Sequence, residues 1–130
     1  MGKRVLVVDD DPDVRTFSIA VLEEHGYTPL EATNGEEGMN IIKQEKPDLV
    51  LLDVLMPRES GIRLYRNLKT DKALKSIPVI VLSGIAEKSF LRSQKALTEF
   101  GGASVPAPEA YLEKPVEAED LADTIRKIIG

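Results

Sequence analysis

The chain contains no cysteine, only one histidine, and no dense run of lysine and arginine. Without thiols it can form neither disulfides nor thiolate metal sites, so any metal must be held by oxygen ligands or by His25. A formal net charge of -5 and a pI near 5.0 disfavour contact with phosphate backbones, and direct nucleic-acid binding is not expected. Long apolar stretches are missing too. None approaches the ~20 residues needed to span a bilayer, and Lys3-Arg4 lead straight into a short strand pattern, which reads as a soluble cytoplasmic protein with no membrane contact. What remains is ordinary for a folded domain, with 42% hydrophobic and 30% charged residues, and 130 residues fit one domain over 1–130.

Short apolar runs alternate with longer helical patterns, the signature of βα repeats around a parallel sheet with helices on both faces. Asp11 caps the first predicted helix, with Pro12 at its first position and His25-Gly26 at its end. Pro29 lies inside the second predicted strand, 27–32. Because proline donates no ladder hydrogen bond, that strand belongs at an edge, as in a doubly wound, flavodoxin-like five-stranded sheet ordered 2-1-3-4-5. Asn34 and Glu37 resemble a capped start for the second helix, and Lys46-Pro47 closes it. The sequence further predicts a loop over 54–61, a fourth strand over 77–83, a helix over about 87–100 and a last helix over 117–129.

Four of the five strand patterns end on a reactive side chain. Val5-Leu6-Val7-Val8 runs into Asp9-Asp10, Leu49-Val50-Leu51-Leu52 into Asp53, Val79-Ile80-Val81-Leu82 into Ser83, and Tyr111-Leu112-Glu113 into Lys114-Pro115. Open α/β sheets place ligands at that edge. A strand-end carboxylate more often caps a helix or solvates a loop, and Asp11 fits that description. Asp9, Asp10 and Asp53 are different, because neighbouring first and third strands would crowd them, and crowded acids need a cation. Mg2+ suits such a set, since it takes oxygen ligands and keeps several waters. Lys114 and Ser83 would supply an ammonium and a hydroxyl to a phosphoryl group, with Asp53 as carboxylate nucleophile.

Together, Val7-Val8-Asp9-Asp10-Asp11-Pro12, Leu51-Leu52-Asp53-Val54-Leu55-Met56-Pro57 with Gly61, Pro78-Val79-Ile80-Val81-Leu82-Ser83-Gly84 and Tyr111-Leu112-Glu113-Lys114-Pro115 resemble the motifs of two-component response-regulator receiver domains of the stand-alone, chemotaxis-regulator type. The resemblance spans essentially the whole chain. It implies that Asp53 is the phosphoacceptor, that Asp10, Asp53 and the Leu55 carbonyl ligate Mg2+, and that Asp9 acts through a bound water. It also implies that Ser83 is the switch hydroxyl, Tyr111 the aromatic that changes rotamer with it, and Lys114 the phosphoryl-binding ammonium. The implied donor is a histidine kinase or a histidine phosphotransfer protein, and the implied output is a downstream protein target.

Two features depart from the family pattern. Gly84 stands where alanine is more usual, and the 31 positions from Ser83 to Lys114 exceed the family norm. The excess falls in the Gly- and Pro-rich segment 101–109, expected to be a loop beside the face that Ser83 and Tyr111 would remodel. Two other functions compete. A Mg2+-dependent Asp-nucleophile phosphohydrolase needs a second acid two positions beyond the nucleophile, where this chain has Leu55. A degenerate receiver that binds partners without phosphorylation has no need of clustered acids.

Overall fold

The computed structural model describes residues 2–99 and 105–130. Its elements run β1 (Arg4–Val8), α1 (Pro12–Glu24), β2 (Thr28–Ala32), α2 (Gly35–Glu45), β3 (Leu49–Leu52), a 3-10 turn (Pro57–Glu59), α3 (Ser60–Thr70), β4 (Val79–Ser83), α4 (Glu87–Glu99), β5 (Ala110–Glu113) and α5 (Ala118–Ile129). All strand pairs are parallel, in the order β2-β1-β3-β4-β5. This is the predicted order. β2 is an edge strand, and Pro29 sits in it opposite Val5.

The central strands are apolar at successive positions because both faces of the sheet are covered. Leu6, Val8, Val50, Leu52, Val79 and Val81 point to one core with Ile42 of α2, Leu64, Tyr65 and Leu68 of α3, and Phe90 of α4. Val5, Val7, Leu49, Leu51 and Ile80 point to the other, with Val21 and Leu22 of α1 and Leu121, Ala122 and Ile125 of α5. Local signals set the element ends. Asp11 accepts the Asp13 N–H at 2.9 Å and Asn34 accepts that of Glu37 at 2.9 Å, so both predicted caps form. Glu37 reaches back to the Thr33 N–H at 3.1 Å.

Several boundaries differ from expectation, two of them by one residue, since β2 starts at Thr28 and α5 at Ala118. β4 begins at Val79, not at Ile77, and Pro78 before it offers the sheet only a carbonyl, which accepts the Val50 N–H at 3.0 Å. Helical structure also starts earlier than expected, since the 3-10 turn and the first residues of α3 occupy the predicted 54–61 loop. Close packing accounts for this. A Cβ on Gly35 would lie 2.3 Å from the Ser60 carbonyl oxygen, so the start of α2 presses directly on the start of α3.

The 101–109 segment was expected to be a loop. Residues 101–104 lie outside the described residues, and 105–108 have no regular structure. Its described end is not beside Ser83. Glu109 N–H donates to the Val79 carbonyl at 3.0 Å, which places it at the N-terminal edge of the sheet, opposite the strand ends that carry Asp53 and Ser83. There Lys69 of α3, only 5% exposed, pairs with Glu109 at 2.8 Å, and the same Glu109 oxygen accepts the Val79 N–H at 2.7 Å. Removing the carboxylate leaves a buried ammonium with the Ile77 carbonyl at 3.2 Å and strands the Val79 N–H. Glu109→Ala is therefore expected to lower the unfolding free energy by about 2 kcal/mol. Urea denaturation reads this directly, and an unchanged midpoint would show that the pair contributes nothing net.

Candidate functional site

β1 and β3 are direct neighbours in register, with Val8 opposite Leu52, so the residues that follow them emerge side by side. Oxygens of Asp9, Asp10 and Asp53 consequently lie within 4.8 Å of one another. Asp9 and Asp53 are buried, at 2% and 5% exposure, whereas Asp10 is exposed. The loop after β5 carries Lys114 across the end of β4, where its N–H donates to the Ser83 carbonyl at 2.8 Å. From there the ammonium reaches both buried acids, 3.0 Å from Asp9 Oδ2 and 3.2 Å from Asp53 Oδ2. Four of the expected site residues thus meet around one point.

The remaining carboxylate oxygens are held by backbone. Asp9 Oδ1 accepts the Asp11 N–H at 2.9 Å, and Asp53 Oδ1 accepts the Leu55 N–H at 2.8 Å. The second contact folds the Leu55 backbone onto the Asp53 carboxylate while the Leu55 side chain stays 62% exposed. Burial raises the Asp9 pKa, and repulsion from Asp53 adds to this, against the hydrogen bonds from Asp11 and Lys114. Burial acts against the Lys114 ammonium as well, but the hydrogen bond to Asp9 and the charges of Asp53 and Asp9 outweigh it and raise its pKa. Three carboxylates and one ammonium leave two negative charges, which a single divalent cation balances. With only oxygen donors available, the set fits Mg2+.

Ser83 and Tyr111 form a second, linked group. Ser83 is fully buried, and its hydroxyl accepts the Ile85 N–H at 3.3 Å. Tyr111 donates its hydroxyl to the Ile85 carbonyl at 2.5 Å, so both side chains hold the same residue of the β4–α4 loop. Burial, together with the nearby carboxylates of Glu113, Asp53 and Glu87, pushes the Tyr111 pKa up to about 12, although the Ser83 hydroxyl acts the other way. The phenol therefore remains a donor at neutral pH. Glu113 accepts the first N–H of α4, that of Glu87, at 3.1 Å.

Sequence reasoning did not single out Arg15 or Phe90. Arg15 of α1 donates to the Asp9 carbonyl at 2.6 Å and pairs with Glu31 at 3.3 Å, bracing the loop after β1. Phe90 packs against Tyr111 with ring centroids 5.7 Å apart. Neither stands in a motif, and the helical spacing of Phe90 is the one signal that could have marked it for the core.

This arrangement has known counterparts. The chain matches the response regulator receiver domain over residues 5–126, and it belongs to that family. It is 36% identical over 127 residues to protein PilH of Pseudomonas aeruginosa, covering 98% of each chain. It is 29% identical to the polar-differentiation response regulator DivK of Brucella anthropi, covering 100% of this chain and 98% of that one. Against the phosphate regulon transcriptional regulatory protein PhoB of P. aeruginosa, the identity is 34%, and the chain spans 52% of that longer protein. Among solved structures, the chemotaxis response regulator CheY4 of Vibrio cholerae superposes with a TM-score of 0.81 at 23% identity, covering 98% of this chain and 99% of that one. A receiver domain from Clostridium thermocellum gives 0.77 at 29% identity, with coverage of 98% and 94%. Receivers are signalling modules of two-component systems, generally not enzymes, and the family binds Mg2+ at an acidic pocket. Among the described residues, no helix is long and apolar enough to cross a membrane.

Gly61 fixes the loop on which Leu55 sits. A Cβ there would lie 2.2 Å from the Asp53 carbonyl oxygen and 2.7 Å from Val54 Cα, both backbone atoms. Gly61→Ala is expected to cost about 1–3 kcal/mol of stability through this overpacking. A lower urea midpoint checks it, and a midpoint equal to that of the parent protein would mean the loop yields freely.

Proposed function

We propose that this receiver takes a phosphoryl group on Asp53, in a Mg2+-dependent step, from a histidine kinase or histidine phosphotransfer protein in the cytoplasm, and that the modification changes its partner-binding face. The observation that carries the reading is the shared ammonium, with Lys114 bonded to both Asp9 and Asp53. A structural cap needs no such bridge. In the transfer, an Asp53 oxygen bonds to phosphorus as the P–N bond to the donor imidazole breaks, and the imidazole keeps the electron pair and takes up a proton. Asp10, Asp53 and the Leu55 carbonyl would hold the metal, with Asp9 acting through water. Bound Mg2+ would offset the charge of the phosphoryl oxygens.

The residues of the chain do the rest. Lys114 stands where it can pass from the Asp53 carboxylate to a phosphoryl oxygen, and Ser83, a neighbour at the same strand edge, offers a hydroxyl to another. Drawing the Ser83 hydroxyl towards phosphate takes it from the Ile85 N–H, which loosens the loop that Tyr111 holds. Leu55 occupies the position where turnover by a phosphohydrolase requires an acid, which favours a persistent modification over repeated hydrolysis.

With Mg2+ and acetyl phosphate, the intact mass is expected to rise by one phosphoryl group, and Asp53→Asn is expected to abolish the gain. Equal modification of that variant would place the nucleophile elsewhere. Chelation of the metal should also stop labelling. In a Mg2+ titration, Asp10→Ala should weaken binding at least tenfold and Asp11→Ala much less, since Asp11 is engaged as a helix cap. Equal losses would contradict the proposed ligand set.

A further inference from the structure

The described end of the 101–109 segment lies at the edge of the sheet opposite Asp53, yet an unbroken run of contacts joins it to Tyr111. The Tyr111 ring meets Phe90 at 5.7 Å with the planes tilted by 45°. Phe90 in turn meets Tyr65 of α3 edge-on, at 5.3 Å and 81°. Tyr65 donates its hydroxyl to the Pro106 carbonyl, and Val105 packs against the same core. Both middle rings are fully buried. β4 spans about 13 Å from Val79 to Ser83 at the usual rise per residue, and Tyr111 stands opposite Val81 in it.

We propose that Phe90 and Tyr65 are positioning residues that couple the Tyr111 ring to residues 105–109, so that phosphorylation of Asp53 is reported at the far edge of the sheet. The proposal rests on the function proposed above. Its physical basis is close packing. A Tyr111 ring that moves leaves a void beside Phe90, and because voids in a packed core are costly, Phe90 follows. An edge-on contact has a preferred geometry, so a shift of Phe90 is felt by Tyr65. Burial holds the Tyr65 pKa far above its usual value, and its hydroxyl remains a donor to Pro106. Pro106 and Pro108 stiffen the segment, so a displaced carbonyl moves its neighbours with it. Lys69 and Glu109 anchor the other end of the segment, and between the two anchors stands Ala107.

The test uses the full chain labelled with 15N. On addition of Mg2+ and acetyl phosphate, the Ala107 and Glu109 amide resonances are expected to shift in step with the mass gain on Asp53. Tyr65→Phe keeps the ring and removes only the hydroxyl. It should leave the mass gain intact and abolish most of the shift at Ala107, and Phe90→Leu should do the same by removing the middle ring. A merely structural Tyr65 would lower stability and leave the phosphorylation-induced shift unchanged, which overturns the proposal. So does a parent protein whose Asp53 gains the phosphoryl mass while residues 105–109 stay still. Absence of the mass gain refutes the underlying function and this coupling with it, so the two failures are distinguishable.

Discussion

One ammonium holds the site together. Lys114 lies beyond the last strand, yet it bonds acids that follow the first and third, and so closes the sheet edge across β4. Without it, two buried carboxylates would face each other beside an exposed third, with no cation to offset their repulsion. The fold supplies the means to place it. Parallel β1 and β3 bring the acids together, and the backbone bond from Lys114 to Ser83 fixes where the lysine starts.

Much of this was legible because parallel sheets write themselves plainly. Strands covered on both faces appear as unbroken apolar runs, and the residue after each run marks the edge where chemistry collects. Pro29 disclosed an edge strand, and Asp11 and Asn34 disclosed helix starts, because each of these residue types has one strong local preference. The sheet order and the grouping of Asp9, Asp10, Asp53 and Lys114 followed from those signals.

What stayed hidden depends on partners distant in sequence. Lys69 looks like an ordinary helix-end lysine, and nothing local says that it is buried against Glu109, 40 positions on. The early start of α3 comes from contact with α2, which no window of sequence contains. The 101–109 segment was expected beside the switch residues because it precedes Tyr111. Its described residues, 105–109, instead enter β5 at the end opposite Ser83, because that strand, four residues long, runs from beside Glu109 to Lys114, so nearness in sequence to Tyr111 does not bring them to the switch hydroxyl.

Hydrogen-bond capacity also bears on what the proposed phosphorylation of Asp53 would have to rearrange. Each Asp53 oxygen already has a partner, Leu55 N–H on Oδ1 and Lys114 on Oδ2. The backbone partner is fixed by the loop that Gly61 holds down, whereas the lysine partner is a flexible point charge. On the proposed reading, an arriving phosphoryl group would displace Lys114 at the lower cost, and Asp9, bonded to the same ammonium, would keep it within reach. Ser83 faces the same choice, since its hydroxyl can leave the Ile85 N–H without disturbing a strand. The mobile groups are the two side chains, and the rigid ones are backbone, so the site can take on charge while the sheet beneath it stays as it is.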